Sequence, residues 1–181
     1  MNAPRLLLLT IAAAAVAAAP VVGSAASNSA LFPASGPIVP GTRATLRGNV
    51  AAAPAAAPLE VKRAIWAANQ LRSKPYRYGG GHRSFNDSGY DCSGTISYAL
   101  GAAGLVPSPM SSSDFRRYGE RGNGRWITVY TRKGHTFAVI AGLRLDTTAW
   151  QTMKRDRNWA PRWQTNERLP RGFEARHPAG F

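Results

Sequence analysis

Between Leu59 and Arg72 apolar residues recur at Val61, Ile65, Ala68 and Leu71, with Trp66 widening the stripe. This spacing predicts an amphipathic first helix. Ser93 to Leu105 carries Ala, Leu and small residues in a helical mix, preceded by the turn-forming Gly79-Gly80-Gly81 and Asn86-Asp87-Ser88-Gly89. It predicts a second helix with Cys92 in its first turn. Ser113-Asp114 predicts the cap of a short helix reaching Tyr118, and Gly119 to Gly124 reads as a turn. The pattern then changes to strands. Arg125 to Thr131 is rich in aromatic and β-branched residues, His135 to Ala141 is an apolar run, and Leu143 to Thr148 alternates. Helices followed by a β-meander predict an α+β fold, with the helices on one side of an antiparallel sheet.

The first 58 residues differ in kind. Arg5 precedes an uncharged run from Leu6 to Ala19, then Pro20 and the small-residue stretch Gly23-Ser24-Ala25-Ala26. The run is shorter than the roughly 20 apolar residues of a spanning helix, so it predicts a cleaved export signal over residues 1–26 and no stable membrane insertion afterwards. Residues 27–58 are mostly Ala, Pro, Gly and Ser without an acid, which predicts a disordered linker, with the folded domain starting near Leu59 and running to Phe181.

Charge narrows the partners. All nine acids and twenty of the 23 basic residues lie after residue 58, a net charge of +11 there. Such a surface favours an anionic partner, and for an exported protein that is peptidoglycan or another anionic cell-envelope polymer. The basic residues form no block and accompany no nucleic-acid motif, so nucleic acid is not an expected partner.

The only cysteine of the chain is Cys92, which therefore has no intramolecular disulfide partner. At a helix N-terminus the unpaired N–H groups and the macrodipole favour a thiolate, with Asp91 as the N-cap. A base must lie within hydrogen-bond reach of such a nucleophile, and His135, opening the middle strand, is the candidate. If Ala141-Gly142 is a two-residue hairpin loop, Ile140 pairs with Leu143 and His135 with Thr148, and Asp146 shares the face of His135 as its diagonal neighbour. A one-residue slip would move Asp146 to the opposite face. His82, in the glycine loop near Cys92, is a candidate substrate contact, while His177 near the terminus reads as structural. One Cys and three scattered His show no ligand spacing, so neither metal nor cofactor is expected.

Pro75-Tyr76-Arg77-Tyr78-Gly79-Gly80, Tyr90-Asp91-Cys92-Ser93-Gly94 and Gly134-His135 followed by a hairpin resemble the NlpC-type papain-like cysteine peptidases of bacterial cell walls. The resemblance covers Leu59 to Thr148. It implies Cys92 as nucleophile, His135 as base and Tyr76 near the oxyanion; Asp146 stands in the family's third polar position, and Ser93, Asp91 and His82 are candidate oxyanion or substrate contacts. It further implies cleavage of D,L-amide bonds in peptidoglycan stem peptides. The chain departs from the family pattern in a longer loop between Tyr76 and Cys92, in Gly124-Arg125-Trp126 where Gly-Asp is common, and in Asp146 itself. The last thirty residues, with Trp150, Trp159 and Trp163 among arginines, lie outside the resemblance and are expected to wrap the domain. Two alternatives stay open on the residues alone: acyl or amide transfer on the same fold, and a non-catalytic basic wall-binding protein with Cys92 inert.

Overall fold

The computed structural model describes residues 31–148, 160–165 and 171–181. It is an α+β fold. Three short strands, β1 (Ile38–Val39), β2 (Thr45–Arg47) and β3 (Val50–Pro54), precede helix α1 (Leu59–Gln70), which ends in a single 3-10 turn over Leu71–Ser73. Helices α2 (Cys92–Ala102) and α3 (Ser112–Phe115) follow. Among the described residues six strands come after them: β4 (Glu120–Arg121), β5 (Ile127–Arg132), β6 (His135–Ile140), β7 (Leu143–Asp146), β8 (Arg162–Thr165) and β9 (Glu174–His177).

These six form one antiparallel sheet in the order β4-β9-β5-β6-β7-β8. Its inner face presents Ile127, Val129, Ala138, Ile140, Leu143 and Leu145, all buried, as the period of two requires. Helix α2 packs between this face and α1, and every residue from Cys92 to Gly101 is buried. A helix apolar or small on all sides belongs at the centre of a layered core, which explains why α2 lacks the polar face that α1 shows at Glu60, Lys62 and Arg63. The short helix α3 carries a reciprocal capping box between Ser111 and Asp114, so its cap lies two residues before the predicted Ser113.

The expected linker is folded over its described part. β3 pairs with β1 in parallel and with β2 antiparallel, and Ala51 and Ala53 are fully buried against α1. Buried Asn69 of α1 holds this sheet like an extra strand. Its Oδ1 accepts from Ala51 N and its Nδ2 donates to Ala51 O, each at 2.9 Å, while the same Oδ1 accepts from Trp163 Nε1 at 2.9 Å. Alanine is what the site needs: without bulk, the strand approaches the helix closely enough for an asparagine to bridge them. The segment also caps the β6–β7 hairpin, where Ala44 N donates to Ala141 O at 2.9 Å and the Arg43 guanidinium lies over Gly142. The ordered body thus begins well before Leu59.

The described C-terminal residues add strands to the sheet itself. β8 extends it beyond β7, β9 enters between β4 and β5, and the Phe181 carbonyl accepts from Trp126 N and Ile127 N. Residues 1–26, Trp150 and Trp159 lie outside the described residues. No helix among the described residues is long and apolar enough to cross a membrane.

Candidate active site

The start of α2 is fixed by Asp91. Its backbone is extended and its Oδ1 accepts from Gly94 N at 2.8 Å, the N-cap arrangement that satisfies one orphan donor of the first turn. Its Oδ2 accepts from Gly79 N at 3.1 Å, and Asp91 N donates to Gly80 O at 3.2 Å, so the same residue ties the helix to the glycine loop. The contact is close: a Cβ on Gly94 would lie 2.0 Å from Gly80 O. This explains the glycine that follows Cys92-Ser93. Cys92 is the first helical residue and 8% exposed.

Tyr76 joins this loop through a bridge to Tyr90. Burial, and then the neighbouring charges of Cys92 and Asp91, push its phenol up, so it carries its proton beside the thiol as a hydrogen-bond donor.

His135 enters from the other side of the site, just after Gly134. Its Nε2 lies 3.0 Å from Asp146 Oδ1 and 3.3 Å from Thr148 Oγ1, and the Cys92 thiol is within hydrogen-bond reach of the ring. Burial opposes the charge on this imidazole. The hydrogen bonds to Asp146 and Cys92, with their negative charges, outweigh it and raise His135 to about 9. For Asp146 burial likewise works against ionisation, and the hydrogen bond and charge of His135, the Arg144 guanidinium and Thr148 N–H overcome it, holding the carboxyl below its usual range. The buried Asp146 carboxylate thus favours an imidazolium beside the Cys92 thiol. Such a set can hold a thiolate and return a proton to a leaving group.

The geometry reproduces the expected register. Ile140 pairs with Leu143, Val139 with Arg144 and Ala138 with Leu145 around the loop at Ala141 and Gly142, whose φ values of 47° and 91° suit a turn of primed type. Asp146 accordingly faces His135. Sequence reasoning missed Arg144, which is 4% exposed and donates Nε to Asp146 Oδ2 at 2.8 Å, with Nη2 on the same oxygen. The alternation Leu143-Arg144-Leu145-Asp146 carried the signal, since residues two apart on a strand share a face.

His82, Asp91 and Ser93 form a second polar group next to Cys92. His82 Nε2 lies 3.0 Å from both Asp91 Oδ1 and Ser93 Oγ, and Ser93 Oγ donates to Asp91 Oδ1 at 3.2 Å. His177, by contrast, sits at the far end of the sheet, with Nδ1 3.2 Å from Gly122 O and Nε2 3.3 Å from Glu120 Oε2. No group of three or more His, Cys, Asp or Glu among the described residues is arranged to hold a metal ion.

No family model matches the chain, and neither does any curated protein. Among solved structures, the peptidoglycan hydrolase RipB from Mycobacterium tuberculosis is similar with a TM-score of 0.48 and 19% identity. The match covers 65% of this chain and spans 64% of the RipB chain.

Proposed function

We propose that the chain is an exported cysteine peptidase that hydrolyses amide bonds in peptidoglycan stem peptides, of D,L-endopeptidase type. One arrangement carries this reading: Cys92 at the N-terminus of a buried helix, within reach of His135, whose ring is held 3.0 Å from the buried Asp146 carboxylate. The wall substrate is supported by the Asp-Cys-Ser-Gly and Tyr-x-x-Gly-Gly motifs and by the basic surface.

The chemistry follows from these positions. The Cys92 thiolate attacks the amide carbon, forming a tetrahedral oxyanion that backbone N–H groups at the start of α2 and the Tyr76 hydroxyl stabilise. His135 gives its proton to the departing amine as the C–N bond breaks, leaving a thioester. The neutral imidazole then takes a proton from water, whose oxygen attacks the thioester carbonyl. Collapse of this second tetrahedral intermediate breaks the C–S bond, which restores the Cys92 thiolate beside protonated His135, and the released acid loses its own proton to solvent. Asp146 keeps the imidazole oriented through both steps, and His82, Asp91 and Ser93 line the substrate side.

Mass spectrometry of peptidoglycan fragments tests this, using a chain that retains β1 to β3 beside its Cys92→Ala variant. New stem-peptide fragments from the unaltered protein alone are expected. Equal cleavage by Cys92→Ala, or intact fragments in both samples, overturns the assignment.

A further inference from the structure

We propose that Arg144 is a positioning residue for this site, clamping Asp146 so that one carboxylate oxygen stays on His135. The proposal rests on the peptidase reading for its effect on turnover, although its geometry stands apart from the substrate.

The Asp146 side chain is fully buried, and its oxygens are divided between two jobs. Oδ1 accepts from His135 Nε2 at 3.0 Å and Thr148 N at 2.9 Å, whereas Oδ2 receives the Arg144 fork. A carboxylate bonded on one oxygen alone could turn about its Cβ–Cγ bond or take up a proton, and either change would loosen the imidazole. The guanidinium prevents both. It fixes the plane of the carboxylate and supplies the positive charge without which an ion this deeply buried is costly.

Arg144 is itself constrained. Its guanidinium carbon lies 3.6 Å from the centre of the Phe137 ring, which stacks on Tyr130 and meets Phe173 edge-on at 5.0 Å. Phe137 and Arg144 lie on adjacent strands, and Asp146 is two residues along on the same face, so the sheet builds the clamp from one strand pair.

The groups facing His135 make the consequence readable. Asp146 and Thr148 face it from the end of β7, Cys92 from α2 and Phe173 from before β9, while Arg132, its partner on β5, lies over Phe173 at 4.8 Å. Of these, Asp146 and Cys92 hold the proton on the ring. A displaced or protonated Asp146 therefore makes His135 less basic.

The test is Arg144→Gln in the full chain, with Arg144→Lys, Asp146→Asn and the Arg144→Gln/Asp146→Asn double variant. Expected for Arg144→Gln are a loss in kcat of about ten- to a hundredfold with little change in KM, and an alkaline limb moved down to that of Asp146→Asn. Arg144→Lys should recover part of the loss, because it restores charge without the planar fork. The double variant should be no slower than Asp146→Asn alone. Retention of wild-type kcat and pH profile by Arg144→Gln, or a loss that adds in full to that of Asp146→Asn, overturns the clamp. If Arg144→Gln does not melt cooperatively, Arg144→Lys in the same cycle decides between these outcomes.

Alkylation of Cys92 by iodoacetamide separates this proposal from the peptidase reading. If the wild type cleaves no peptidoglycan, the peptidase reading fails, and the clamp is then judged by alkylation alone. A rate at pH 7 slower by about threefold or more in Arg144→Gln supports it, because a less basic imidazole holds less thiolate. An equal rate overturns it.

Discussion

Two His–Asp pairs stand beside Cys92, both closed at 3.0 Å, and they are built for different work. In His135–Asp146 the side chains are 15% and 0% exposed, and the carboxylate is completed by Arg144 and Thr148 N. In His82–Asp91 they are 33% and 7% exposed, and the carboxylate is completed by the backbone N–H groups of Gly94 and Gly79. Distance alone does not separate them. The difference lies in what else each carboxylate holds: Asp91 fixes the course of the chain around Cys92, whereas Asp146 fixes the His135 ring beside the thiol.

The strongest test exchanges the two histidines. His135→Gln should lower kcat about a thousandfold, within the range for loss of a general acid–base, with a cooperative melt retained. The corresponding change at His82 should leave kcat near wild type. Equal losses at both positions, measured on the same peptidoglycan substrate, would erase the proposed division.

Acidity separates the pairs next. Since His135 is raised to about 9, kcat/KM should fall along an alkaline limb near that pH as the imidazolium is lost. Asp146→Asn should move the limb down toward the ordinary histidine value of about 6.5 and lower turnover about a hundredfold. Stability follows with its own sign. A histidine whose folded-state pKa exceeds its unfolded value of about 6.5 contributes stability fully below that pH, and loses it as pH rises through about 9. Denaturant melts of the wild type should therefore weaken across this window, and those of His135→Gln should not. An alkaline limb unmoved by Asp146→Asn would point to another orienter of the ring.

Asp91 should answer in stability where Asp146 answers in rate. Asp91→Ala removes the cap of α2 and leaves Gly79 N without its acceptor, for a loss of about 2 kcal/mol by denaturant titration. A loss below about 0.5 kcal/mol would mean that the glycine loop holds α2 without its cap.

The contrast also marks what the sequence could disclose. The Cys92 helix, the β6–β7 register and the facing of Asp146 were legible because each depends on neighbours along the chain: a cap, a two-residue loop and a period of two. The N-terminal sheet was not. Its Ala-Pro composition is that of a solvated linker, and its order comes from Asn69, which reaches Ala51 at a separation of 18 residues and Trp163 at 94. No local pattern contains that bridge. Arg144 was half legible, since alternation gives its face, but its role depends on the ring of Phe137 and the burial of Asp146.

The smallest effect concerns His82. Its side chain is one-third exposed, so its contact with Asp91 is screened by solvent, and His82→Gln should change stability by less than about 1 kcal/mol. On the proposed reading it lies at the edge of the substrate site through Asp91 and Ser93, so the same variant should raise KM about two- to fivefold while kcat holds. Glutamine can still donate to Asp91 from its amide, which separates loss of the ring from loss of the hydrogen bond. A fall in kcat with KM unchanged would instead make His82 a participant in the transition state, and the two His–Asp pairs would then act as one machine.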